Sequence, residues 1–122
     1  MGQREPDMNF TEAVSSVFSK YAVFSGRAGR PEFWLFALFN VIASLVVAFI
    51  DNLLFGHEIL GAIYGLGVLL PSLAVAVRRL HDIDRSGWWI LVGLVPLIGW
   101  IILLIWYIRP GTPGPNQYGP PV

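Results

Sequence analysis

The chain reads as an all-α membrane protein. It is expected to carry three transmembrane helices, an N-terminal amphipathic interfacial helix before them and a Pro/Gly-rich tail behind, in one multi-pass domain of 122 residues. Three observations carry that expectation. Hydrophobic residues make up 55% of the sequence and charged residues only 13%, against about 25% charged in soluble domains. So little polar surface does not solvate a soluble exterior, which disfavours an ordinary soluble enzyme. Residues 33–50, 59–77 and 88–108 form three runs without a single Asp, Glu, Lys or Arg. The basic residues collect on alternate sides of those runs, as in a chain threaded back and forth through a bilayer.

Ahead of the first run, Phe10, Ala13, Val14, Val17, Phe18, Tyr21 and Ala22 recur at helical spacing, one apolar stripe on a helix over 10–24. Asn9 is its expected cap, Glu12 the reciprocal partner in a capping box, and Gly26 its stop. The segment is too polar to span, and the expectation is a helix in the headgroup plane with Lys20, Arg27 and Arg30 near anionic lipid. A soluble helix packed on the cytoplasmic loop is the alternative.

Pro31 suits the first turn of the next helix and Glu32 complements its dipole. At 1.5 Å per residue the three runs reach roughly 27 to 31 Å, the hydrocarbon thickness of a bilayer. Trp34, Trp88, Trp89 and Trp106 lie near run ends, at headgroup level. The tail, 109–122, holds five prolines and three glycines and is expected to be extended. Arg4, Lys20, Arg27, Arg30, Arg78, Arg79 and Arg85 alternate against Arg109 alone. That bias predicts a cytoplasmic N-terminus and second connector, with the first connector and the C-terminus outside. No cleavable leader is expected, since the first run begins about thirty residues in and lacks a small-residue cleavage pattern.

Within the runs, Ala37, Asn40, Ser44, Ala48 and Asp51 share a small, polar face, and Gly61, Gly65, Ser72 and Ala76 share another. These are the expected packing surfaces. Asn40 would hydrogen-bond Ser72, and the Gly61/Gly65 G-x-x-x-G would let backbones approach, within the chain or in a dimer. Pro71 and Pro96 are candidate kinks. No Asp, Glu, Lys, Arg or His sits mid-run, which disfavours a proton relay.

The densest chemistry lies in RRLHDIDRSGWW (78–89) and FSGRAGRPEFW (24–34). Every charge there has a structural role on offer: Arg78 and Arg79 at a helix C-terminus, Asp84 or Ser86 as a cap, Arg27 or Arg30 paired with Asp82 or Asp84. The functional alternative sets Arg27, Arg30, Arg78, Arg79, His81, Asp82 and Arg85 against a lipid phosphate or a protein partner. One His beside one Asp falls short of the roughly three protein ligands a metal site needs, and there is no cysteine. Neither metal nor cofactor is expected. Zero formal net charge supplies no field to recruit nucleic acid.

These two strips and GTPGPNQYGP (111–120), in that order around apolar runs, resemble the domain-of-unknown-function 805 (YhaH-like) family of small bacterial inner-membrane proteins. The resemblance covers the chain from about Phe10 to its end. It implies a multi-pass helical protein of the bacterial plasma membrane, with Arg27, Arg30, Glu32, Arg78, Arg79, His81, Asp82, Ser86, Gly87, Asn116 and Gly119 as motif positions; it implies no activity. The sequence reading is therefore a non-enzymatic scaffold, partner-binding or lipid-headgroup-binding module. Its expected partners are membrane lipid, a second copy or a larger membrane protein; the alternative is a subunit of a transport or channel assembly.

Overall fold

A computed structural model describes residues 7–122. Helix α1 spans Phe10–Ser19, α2 Arg30–Leu54 and α3 Leu60–Asp82; a 3-10 helix, η1, spans Gly87–Leu94, and α4 spans Ile98–Ile108. The Asn9 side chain accepts the Glu12 amide at 2.8 Å while Glu12 accepts the Asn9 amide at 2.9 Å, a complete capping box. α1 stops at Ser19, short of Gly26. The chain beyond it pairs with α3: Arg78 donates to the Val23 carbonyl and its own carbonyl accepts the Ala28 amide. Those bonds replace the next helical turns. Gly26 turns the loop at φ +85°.

The apolar stripe of α1 faces protein. Ala13 and Val17 are fully buried, Val17 in a core with Ala28, Phe36 and Val75. Phe18 meets Phe36 and Phe39 edge-on, at 5.5 and 5.9 Å between centroids.

α2 and α3 form an antiparallel pair, and both are long and apolar enough to cross a membrane. At one end the buried Asp51 caps α3, accepting the Leu60 and Gly61 amides at 2.8 Å each. Midway, Asn40 donates to Ser72 at 3.4 Å and accepts the Tyr64 hydroxyl at 2.6 Å. The other expected packing residues depart from that seam. Ser44 is exposed, because only α3 lies beside the outer half of α2 and the covered arc there is narrow. Gly61 serves the cap, since a Cβ there would sit 3.4 Å from the Asp51 carboxylate and 3.1 Å from that of Glu58. Gly65 is exposed, with open space where a Cβ would stand.

The third apolar run, 88–108, is not one continuous helix. Val95 is extended, as a residue before proline prefers. Leu97 then takes φ +66°, ψ −66°, and the Ile98 amide bonds the Pro96 carbonyl at 2.8 Å, a γ-turn that reverses the chain. The arms close into an antiparallel hairpin: Trp100 donates to the Gly93 carbonyl at 2.9 Å and Trp89 meets Trp106 at 5.7 Å. Gly99 makes closure possible, for a Cβ there would lie 1.8 Å from the Val92 carbonyl oxygen. Each arm is only about 16 Å long. α4 therefore ends beside the C-terminus of α3, and the tail, expected at the opposite end from the arginine strips, lies against them. Residues 109–122 contain no helix; one isolated bridge joins Asn116 and Gly119.

Candidate functional site

The charged residues gather where α3, the 20–29 loop and the tail meet. Arg79 is 0% exposed, Arg78 and Asp82 1%, and Glu32, Arg27 and His81 are also buried. Helical spacing sets the first contact: Arg79, three residues before Asp82 and so on the same face, reaches its carboxylate at 3.1 Å. Arg27 bonds the other carboxylate oxygen at 2.9 Å. On the far side, Arg78 meets Glu32 at 2.9 Å, and the Ser16 hydroxyl donates to the same Glu32 oxygen at 3.1 Å. Arg78 Nη2 is the buried side-chain nitrogen left without a hydrogen bond among the described residues.

Three arginines face two carboxylates, and the excess positive charge is dispersed over backbone carbonyls. Arg27 donates to Thr112 at 2.6 Å and Gly114 at 2.8 Å, and Arg79 to Tyr107 at 3.2 Å and to the Arg109 carbonyl. A guanidinium's five donors in a rigid fork suit this bridging, which an ammonium would not reproduce. Buried charges left without such partners would cost several kcal/mol each, about 3 to 5 per broken pair. The tail is thus bound by the cluster it covers. Gly111 permits the approach: a Cβ there would stand 2.2 Å from the Asp82 carboxylate.

The rest of the tail docks on the α3 end. Asn116 donates to the His81 carbonyl at 2.9 Å, the Asp84 carboxylate accepts the Gln117 amide at 3.2 Å, and Tyr118 stacks on the His81 ring at 3.9 Å with planes 1° apart. His81 Nδ1 lies 2.9 Å from the Gly26 carbonyl. A carbonyl only accepts, so Nδ1 carries a proton, and in the neutral ring Nε2 holds the lone pair.

Of the site residues expected from sequence, Arg27, Arg78, Arg79, His81 and Asp82 come together here. Arg30 and Arg85 lie at the rim: Arg30 reaches the Ile108 carbonyl at 3.4 Å, and Arg85 stands over the Trp106 ring at 4.4 Å from its centroid. Glu32 belongs to the cluster; residue chemistry assigned it only to the helix dipole, while the family resemblance already marked it as a motif position, and an acid two residues into an apolar helix is the signal that singles it out. The tail carbonyls carry no sequence signal. Among the described residues no group of three or more His, Cys, Asp or Glu is placed to hold a metal.

A family profile described as "Protein of unknown function (DUF805)" matches residues 21–120, the span that holds every member of this cluster except Ser16. The chain belongs to the DUF805 family. Among its relatives, inner membrane protein YhaH of Escherichia coli (strain K12) is 47% identical over 109 residues, covering 85% of this chain and 90% of its own. Inner membrane protein YhaI of the same strain is 48% identical over 106 residues, covering 85% and 89%. No solved structure matches. This DUF805 chain thus has relatives of nearly its own length that are named as inner-membrane proteins, and its own long apolar helices are consistent with that location.

Proposed function

We propose that this protein is a non-enzymatic scaffold of the bacterial inner membrane, whose rigid cytoplasmic cap docks a larger membrane protein. The supporting observation is the Arg27 guanidinium, which holds Asp82 and the tail carbonyls of Thr112 and Gly114 at once. The inward groups of the tail are engaged within the chain, while Pro113, Pro115, Gln117 and Pro120 point outward. A pre-ordered proline-rich surface loses little entropy on binding. Arg78 and Arg79, enclosed by protein, are poorly disposed for lipid phosphate. A photocrosslinker at Gln117, in cells, is expected to capture one discrete protein. Arg27→Gln, which releases the tail, should abolish the adduct; an adduct unchanged by it, or lipid adducts only, would overturn the reading.

In this reading α2 and α3 cross the bilayer. The η1–α4 hairpin, with arms about half of the roughly 30 Å hydrocarbon depth, enters and returns on the cytoplasmic side. Both ends of the chain are then cytoplasmic, whereas positive-inside counting over three full spans puts the C-terminus outside. The three-span topology puts seven of the eight basic residues on the cytoplasmic side, and the hairpin adds Arg109 as the eighth. Green fluorescent protein fused to either end should fluoresce and alkaline phosphatase at either end should stay inactive; an active C-terminal phosphatase fusion would refute the hairpin.

A further inference from the structure

Between the cytoplasmic half of α3 and η1 runs an apolar groove of about 440 Å³ that the cluster chemistry leaves unused. Leu73, Val77, Ile90 and Leu91 form its walls, and His81 and Ser86 stand at one end. Its narrow floor depends on Gly87, where a Cβ would lie 2.6 Å from the Val77 side chain. From Leu73 to His81 the groove follows about 12 Å of helix, most of one leaflet's hydrocarbon depth of about 15 Å. The volume lies in the range of small-molecule sites, roughly 300 to 1,000 Å³.

The polar end decides what fits. His81 is 8% exposed, and with its proton directed from Nδ1 to Gly26 it offers Nε2 as a hydrogen-bond acceptor with no other bond among the described residues. Tyr118, stacked on the ring, fixes its plane. Ser86 Oγ accepts the Trp88 amide at 3.3 Å, which leaves its O–H proton free to donate. The lining also holds the Trp88 indole N–H as a donor, and the His81–Ser86 end presents one acceptor beside one donor, all uncharged. That pair complements a hydroxyl, which donates once and accepts at its lone pairs. A phosphate or carboxylate finds no Lys or Arg in the lining and is refused by the Nε2 lone pair.

We infer that the groove binds one acyl chain of an uncharged lipid with a free hydroxyl, of the diacylglycerol class, its hydroxyl held between His81 Nε2 and Ser86 Oγ. The inference rests on the membrane location and the hairpin, and is independent of the docking role of the cap.

The test uses the full chain in nanodiscs of phosphatidylethanolamine and phosphatidylglycerol, with diacylglycerol carrying a diazirine in one acyl chain. The control probe is the same molecule with its hydroxyl methylated. Labelling by the free-hydroxyl probe is expected to concentrate on peptides containing Leu73, Ile90 and Leu91, and to exceed that by the methylated probe at least five-fold. Leu91→Trp, at an exposed lining position, should fill the groove and cut labelling at least five-fold without altering the helical circular dichroism. Leu94→Trp, on the exposed hairpin surface outside the groove, should label as the parent protein does. Equal labelling by the two probes, labelling spread evenly over α2 and α3, or insensitivity to Leu91→Trp would each overturn the proposal and reduce the groove to a surface wetted by bulk lipid. Active phosphatase at the C-terminus, by contrast, would remove the hairpin itself, so the two failures are distinguishable.

Discussion

Two prolines lie inside apolar runs, and the chain treats them in opposite ways. Pro71 is buried in the middle of α3, and the helix continues through it from Leu60 to Asp82. Pro96 divides the third run into η1 and α4. Each removes an amide that would have bonded the carbonyl four residues back, and the fate of that carbonyl separates the two cases. For Pro71 it is the carbonyl of Gly67, and the Tyr21 hydroxyl of the neighbouring segment donates to it. For Pro96 it is the carbonyl of Val92, which no outside side chain among the described residues reaches; it accepts the Val95 amide at 3.0 Å instead, and the chain turns. In an apolar surrounding a helix tolerates proline when a neighbour satisfies the freed backbone group. The loop after α1 supplies that neighbour to α3, and nothing among the described residues supplies one to the third run.

The largest expected effect comes from the ties that hold the hairpin's return. Arg27→Met leaves the Asp82 carboxylate short of a buried partner and should destabilise the fold by about 3 to 5 kcal/mol, read as thermal unfolding in detergent. In a cycle with Asp82→Leu the double variant should lose less than the sum of the singles; strict additivity would mean the 2.9 Å contact contributes nothing. Next is hairpin closure. Gly99→Ala forces a Cβ onto the Val92 carbonyl and should cost about 1 to 3 kcal/mol, with protease sensitivity appearing after Arg109. An unaffected melt would break the contrast at its Pro96 end.

The Pro71 end is sharpened by a smaller effect. Tyr21→Phe orphans the Gly67 carbonyl and should cost about 1 to 2 kcal/mol. In a Pro71→Ala background the restored amide takes that carbonyl, and the same change should become nearly neutral. Equal losses in both backgrounds would show that Tyr21 acts through packing alone. Smallest is Gly65→Ala, where the added methyl meets open space; its melt should shift by no more than about 0.5 kcal/mol, whereas Gly61→Ala disturbs the Asp51 cap and should lose more.

Local rules read much of this from sequence. The Asn9–Glu12 capping box and the start of α2 near Pro31 depend on residues a few positions apart, and the Asn40–Ser72 bond on one polar pair in an apolar surrounding. The arginine strips were recognisable as a site because charge next to apolar runs is rare. Which arginine meets Asp82 was not legible: Arg27 and Arg30 are both within reach in sequence terms, and the choice follows from Ala28 pairing with the Arg78 carbonyl. The partner of Glu32, 46 positions away, and the tail carbonyls, 30 to 92 positions from their arginines, were not legible for the same reason.

Composition and periodicity alone therefore established a helical, lipid-compatible chain with its charge gathered at two short strips, because apolar content and helical spacing are properties of neighbouring residues. Only the tertiary structure decided that the third run turns back, that the tail returns to the arginines, and that those arginines are enclosed. Each of these depends on whether a backbone carbonyl or a buried charge finds its complement on a distant segment, and proximity of that kind is made by folding.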